Sequence, residues 1–296
     1  MTWLSRREWL RQAAVGAGGV IVACATAVPK THAQEPHVAN RPHGGISDAD
    51  EIALGRRFAI QFEQEVPILT NPLIDQHLGV LIKELAAQCQ RPRLPYRVKV
   101  VDSAAVNASS LPGGSIYVNR GLLNLLTTED ELAAVIAHEI GHIVGRHTIN
   151  QLMLALQAKE LLKPILDNLN KQNGAVEKII LQLGGAVAIL ARLHFSRQDE
   201  AEADLLGFYN VLRANWDPRG FLKMFVALEA LEKTPAGASL PLLSSHPPTP
   251  AREAAIEREL TFVTIPEDAQ TDSFDFRACK TALRLLPPPR KPAPSE

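Results

Sequence analysis

Residues 138–142 read His-Glu-Ile-Gly-His. Two histidines four apart on a helix project from one face, about 6 Å apart along the axis. Imidazoles so placed can hold one zinc ion at about 2.0–2.1 Å. The carboxylate of Glu139, one position on from His138, can reach water beside the metal. Zinc needs a third protein ligand and, for catalysis, an open fourth position. Downstream lies Ser196-Arg197-Gln198-Asp199-Glu200-Ala201-Glu202-Ala203-Asp204. Glu200 and Asp204 are again four apart, so both face one way. Glu200 can complete the metal site. Asp204, one turn on, can orient a histidine ligand by accepting its free N–H. Glu202 is two positions off and points elsewhere. Taken alone, an acidic run of this kind reads as a solvated helix face.

These residues work only if the surrounding chain holds them in place. Thr128 and Glu131 form a capping box for the histidine helix, and Leu132, Val135, Ile136, Ile140 and Ile143 supply its apolar stripe. Burying two histidines and a glutamate in such a helix without a ligand would be costly. Ahead of it, Ser47 caps a helix running to about Glu65, and Asn71-Pro72 opens another running to about Gln88. Tyr96 to Val101 alternates and is β-branched, so it reads as a strand. Pro112-Gly113-Gly114 is a turn, and Ser115 to Asn119 is a second strand. Helices are predicted over about 121–126, 129–162, 176–194, 197–214, 218–233 and 251–260, with Pro164 ending or kinking the long one. The apolar run 179–191 is too short to span a bilayer and reads as a buried core helix. Residues 234–250 form a Pro/Ser loop. The fold class is α+β, predominantly helical, with one domain over 47–286 and a disordered Pro-rich tail over 287–296.

The chain has 296 residues, 31 Lys plus Arg and 32 Asp plus Glu. A net charge of -1 argues against nucleic-acid binding through a basic surface. Hydrophobic residues at 46% exclude a wholly disordered chain. Ser5-Arg6-Arg7 followed by Trp9-Leu10 resembles the twin-arginine export signal of bacteria. The apolar stretch behind it, about 13–28, is short for a membrane span. Cleavage after Ala33 makes 1–33 a signal peptide and 34–46 a flexible leader. Ile21-Val22-Ala23-Cys24 offers a competing cut, a lipoprotein box with a lipid anchor on Cys24. Either cut directs the protein to the periplasm with no transmembrane span in the mature chain. Cys89 and Cys279 then form either one disulfide or two free buried thiols, since separation in sequence says nothing about distance. His147 has no partner at a usable spacing, and His77 and His194 read as structural.

His-Glu-Ile-Gly-His, followed some sixty residues later by Glu200 and Asp204, resembles the HtpX-like and CAAX-prenyl-protease-like family of zinc metallopeptidases. The segment from Asn107 to Val118 resembles that family's N-A-x-x-x-P-G-G strand segment. His246-Pro247-Pro248-Thr249-Pro250-Ala251-Arg252 resembles its H-P-P-x-x-x-R segment. These matches cover roughly residues 50–260 in order. The resemblance is to exported bacterial members. It implies a zincin-like catalytic domain and one zinc per chain on His138, His142 and Glu200. It also implies a metalloendopeptidase of envelope quality control, with Glu139 as general base and unfolded or misfolded envelope polypeptides as partners.

The other matched residues have physical readings of their own. Ser115, Ile116, Tyr117 and Val118 can lie as an edge strand beside the metal, where an extended peptide pairs through main-chain hydrogen bonds. An ordinary hairpin strand is the other reading. His246 either donates to the oxyanion or blocks the fourth zinc position at rest. Arg252 stabilises the oxyanion or ties down the loop. The rival function is an envelope chaperone or assembly factor that binds unfolded chains and whose zinc site is occluded and rarely active.

Overall fold

The structure, a computed structural model, describes residues 46–191, 193, 195–234, 242 and 246–289. The expected signal peptide with Cys24 and Ala33, nearly all of the leader, His194, and the tail beyond residue 289 lie outside the described residues.

Helix α1 (Asp48–Glu65) starts where Ser47 Oγ accepts the Asp50 N–H at 3.1 Å. Strand β1 (Ile68–Leu69) leads to α2 (Pro72–Gln88), capped by Asn71, whose side chain accepts from the Leu73 and Ile74 N–H groups. Then come β2 (Arg97–Val101), β3 (Ala108–Leu111) and β4 (Ser115–Asn119). The sheet order is β1-β2-β4-β3, with β2 and β4 parallel and the other pairs antiparallel. The α+β, predominantly helical reading holds. The edge-strand expectation for Ser115, Ile116, Tyr117 and Val118 does not. Gly113 and Gly114, at φ +76° and +110°, fold β3 back on one side of β4 while β2 pairs with the other. All four of those residues are buried, the pattern of an interior strand. The edge beside the histidine helix is β3.

Helix α3 (Arg120–Leu125) precedes the histidine helix α4 (Glu129–Val144), every residue of which is buried. The Glu131 carboxylate accepts the Thr128 N–H at 3.2 Å, the capping-box contact expected of that pair. The expected single helix 129–162 is broken. Gly145 ends α4, Arg146 adopts a left-handed conformation at φ 58°, and α5 (His147–Ala158) and α6 (Leu162–Asn168) follow. A left-handed non-glycine residue costs roughly 1–2 kcal/mol. Here the Arg146 guanidinium is held by Asp48, by Glu51 at 3.5 Å and by the Ile46 carbonyl at 3.4 Å. The expected core helix over 179–191 is also corrected. Gly184 and Gly185, at φ +97° and +89°, split it into α7 (Ala175–Gln182) and α8 (Gly185–Leu190). Leu181 is 56% exposed and Val187 38%, so its apolar residues are only partly in the core.

Helices α9 (Arg197–Arg213), α10 (Gly220–Glu232) and α11 (Pro250–Leu260) fall where expected. A further helix, α12 (Phe274–Leu285), was not expected. Cys89 and Cys279 are free and buried, which excludes the disulfide alternative. Among the described residues no helix is long and apolar enough to cross a membrane.

The contact that builds the site is between α4 and α9. A Cβ on Gly141 would stand 2.4 Å from the Ala203 carbonyl oxygen, and one on Gly207 3.0 Å from that of Ala137. Glycine on each helix therefore allows backbone to approach backbone. Gly141→Ala is expected to destabilise the fold by about 1–3 kcal/mol, a fall in Tm of about 2–12 °C. A thermal melt that does not move would show that the helices separate freely.

Candidate metal centre

The close crossing of α4 and α9 brings four side chains to one point. His138 and His142 project from the same face of α4, with their Nε2 atoms 3.1 Å apart. Across from them is the first turn of α9. Ser196 Oγ accepts the Asp199 N–H at 3.1 Å, and Asp199 Oδ2 accepts the Ser196 N–H at 2.9 Å, which fixes where that turn begins. One position later, Glu200 Oε1 lies 3.3 Å from His142 Nε2, and Oε2 lies 3.7 Å from His138 Nε2. The fourth member is His246, whose Nδ1 is 2.8 Å from Glu200 Oε1 and 3.4 Å from His138 Nε2. The ligand atoms of His138, His142, Glu200 and His246 all lie within 4.8 Å of one another, and all four residues are buried.

This set fits zinc. A tetrahedral site with arms of about 2.0–2.1 Å places its donors about 3.3 Å apart, and the separations among His138, His142 and Glu200 bracket that value. Glu200 Oε2 is buried without a hydrogen-bond donor. The Arg252 Nη1 atom is 3.0 Å away, near enough for charge attraction, but not aligned as a donor. Asp204 Oδ1 accepts from His138 Nδ1 at 2.9 Å. The proton of that ring is thereby placed on Nδ1, and Nε2 presents a lone pair to the centre.

Charge balance follows burial and neighbours. Burial alone would raise the Glu200 carboxyl, but His246, His142 and His138 outweigh it and hold the group well below the usual carboxylate range. Burial also opposes ionisation of Asp204, and the guanidinium of Arg252 with His138 overrules it. Arg252 Nε and Nη2 donate to the two Asp204 oxygens at 2.6 and 2.7 Å, a bidentate pair. Burial keeps the His142 ring well below its ordinary value, hence neutral, as a metal ligand must be. For His246 burial again lowers, but Glu200 and then Glu139 prevail and the net shift is upward.

Every residue singled out by its spacing on α4 and α9 converges here, and Glu139 is only 2% exposed on the same stretch of α4. His246 and Arg252 arrive from the loop and the start of α11. Arg252 Nη1 donates to the Pro247 carbonyl at 3.0 Å, tying that loop to Asp204. The strand residues Ser115–Val118 are not part of the cluster. Two contacts were not foreseen. Phe195 stacks on His246, with ring centroids 5.4 Å apart, and packs on His142 at 4.3 Å; no motif marks it. His147, read as unpartnered, has its Nδ1 atom 3.0 Å from His142 Nδ1. Glu202 points away from the cluster, as its position predicts, and its Oε2 atom lies 3.4 Å from His147 Nε2.

A family model described as peptidase family M48 matches residues 72–260. The beta-barrel assembly-enhancing protease of Escherichia coli (strain K12) is 26% identical over 216 residues, 68% of this chain and 42% of that protein. The beta-barrel assembly-enhancing protease of Yersinia pestis is 26% identical over 196 residues, 62% of this chain and 38% of the relative. The mitochondrial metalloendopeptidase OMA1 of Arabidopsis thaliana is 31% identical over 195 residues, 64% and 36%. This chain therefore spans less than half the length of each of these relatives.

Proposed function

Because the chain belongs to peptidase family M48, we propose that it is a zinc-dependent metalloendopeptidase that cleaves unfolded or misassembled proteins of the cell envelope. The observation that carries this reading is the convergence of His138, His142 and Glu200 at donor separations of 3.1–3.7 Å, with Glu139 near enough for its charge to act on His246 and Arg252. Zinc held by those three ligands supplies a Lewis acid and lowers the pKa of water towards about 7. Glu139 takes the proton of the attacking water and hands it to the leaving amine. Asp204 keeps the His138 proton on Nδ1 and sets the angle of the ring. Arg252, committed to Asp204 and the Pro247 carbonyl, acts as the tie between loop and site rather than as an oxyanion donor.

His246 lies inside the ligand set at rest, so capping is the role its position favours. The loop must shift for substrate to enter. The envelope location is supported by the Ser5-Arg6-Arg7 leader, exported with a cut after Ala33 or retained as a lipid anchor on Cys24. It is further supported by bacterial relatives named as proteases of β-barrel assembly.

The same capping contact favours the second reading, an envelope chaperone with an occluded site. Casein digestion by the exported protein separates the two, run with and without a chelator and alongside His246→Ala. Wild type should cleave slowly, stop with chelator and recover with zinc. His246→Ala should keep its zinc and cleave several-fold faster. A loss of about 10²–10³-fold would instead make His246 an oxyanion donor. No cleavage by either protein at full zinc loading would favour the chaperone.

A further inference from the structure

The His142 ring is fully enclosed, at 0% exposure. Its Nε2 atom faces Glu200 and His138, so as a ligand it must carry its proton on Nδ1. A buried N–H requires an acceptor. The atom in place is His147 Nδ1, at 3.0 Å, with the two rings edge to face at 80°. Accepting there forces the His147 proton onto Nε2. That nitrogen looks out at Glu202 Oε2, 3.4 Å away, and at Asp199 Oδ1, 3.7 Å away. One tautomer of each ring thus satisfies the whole chain of contacts.

From this geometry we infer that His147 is a positioning residue of the metal centre, relaying the carboxylates of Glu202 and Asp199 to the far side of His142. The inference rests on the reading of His142 as a zinc ligand. It pairs with the arrangement around His138, where Asp204 meets Nδ1 directly. The centre is already crowded with acid from Glu139, Glu200 and Asp204. An imidazole between His142 and the next carboxylates fixes the ring without bringing another full negative charge against it. Asp199 lies with Glu200 in the first turn of α9, and Glu202 follows two positions on. The start of α9 therefore supplies one ligand and anchors the support of another.

The break after α4 serves this placement. On an unbroken helix His147, five positions past His142, would sit about 140° around the axis. The left-handed Arg146 swings the chain so that the two rings meet. A Cβ on Gly145 would stand 2.5 Å from His147 Nε2, so the residue before the turn leaves room for the ring.

The test is zinc affinity, measured by competition with a chromogenic chelator, and the Tm of the metal-free protein. It compares wild type, His147→Leu and His147→Asn. His147→Leu removes the acceptor and should weaken zinc binding about 10–100-fold while the metal-free Tm stays within about 2 °C. His147→Asn places an amide oxygen near the Nδ1 position and should recover most of that affinity. In zinc-loaded wild type, ring-nitrogen NMR should find His147 protonated at Nε2. Zinc binding by His147→Leu as tight as wild type would overturn the relay and leave the metal site standing. So would His147 protonated at Nδ1, or a loss of affinity that His147→Asn fails to restore. Wild type that binds no zinc would overturn the metal site itself, and the relay with it.

Discussion

Glu139→Gln is expected to leave the protein folded and zinc-loaded while cutting peptide hydrolysis by about 10²–10⁴-fold, the range for a lost general acid–base group. The substitution preserves size and shape at a position only 2% exposed, so it creates neither cavity nor clash. What it removes is proton affinity. An amide cannot take the proton of the attacking water, and the two other acidic residues of the centre are already engaged. Glu200 is turned to His142 and His246, and Asp204 is held by Arg252 and His138. Single-turnover cleavage of casein at matched zinc content is the measurement. A loss smaller than about tenfold would remove Glu139 from the base role, and a parallel melt would show whether any loss came from folding.

Glu200→Ala should take the zinc content of the purified protein from about one per chain to near zero. Two imidazoles one helical turn apart remain, without the carboxylate that closes the set from α9. His246 also loses the oxygen 2.8 Å from its Nδ1, the nearest of its polar contacts at the centre. Glu202→Ala provides the control on the same turn. Its side chain faces His147 and not the centre, so it should retain stoichiometric zinc when the ion is saturating. Metal analysis of the two variants beside wild type decides the assignment. Equal zinc in Glu200→Ala and wild type would strike Glu200 from the ligand set.

Several parts of this molecule are legible because they depend on short stretches of backbone. The i, i+4 spacing of His138 and His142, and of Glu200 and Asp204, needs only helical geometry to put each pair on one face. Ser47, Asn71 and the Thr128–Glu131 pair mark helix starts because their contacts reach no further than three or four residues. Other features are set by partners far away in the chain. Ser115–Asn119 reads equally well as edge or centre until β2 and β3 take its two sides. The break after α4 is masked by apolar periodicity that runs on through Ile149 and Leu152, and it is held by Asp48 and Glu51, nearly a hundred residues earlier.

The sequence by itself therefore determined which residues could ligate a metal and which carboxylate could move a proton, because those pairs are built within single helices. Tertiary structure alone decided the rest. It brought His246 up to His138, His142 and Glu200, set Arg252 on Asp204, and gave His147 a partner in His142. The physical reason is the close crossing of α4 and α9. Glycine at 141 and 207 lets the backbones meet, and that contact buries polar groups of both helices against one another, as His138 is buried against Asp204.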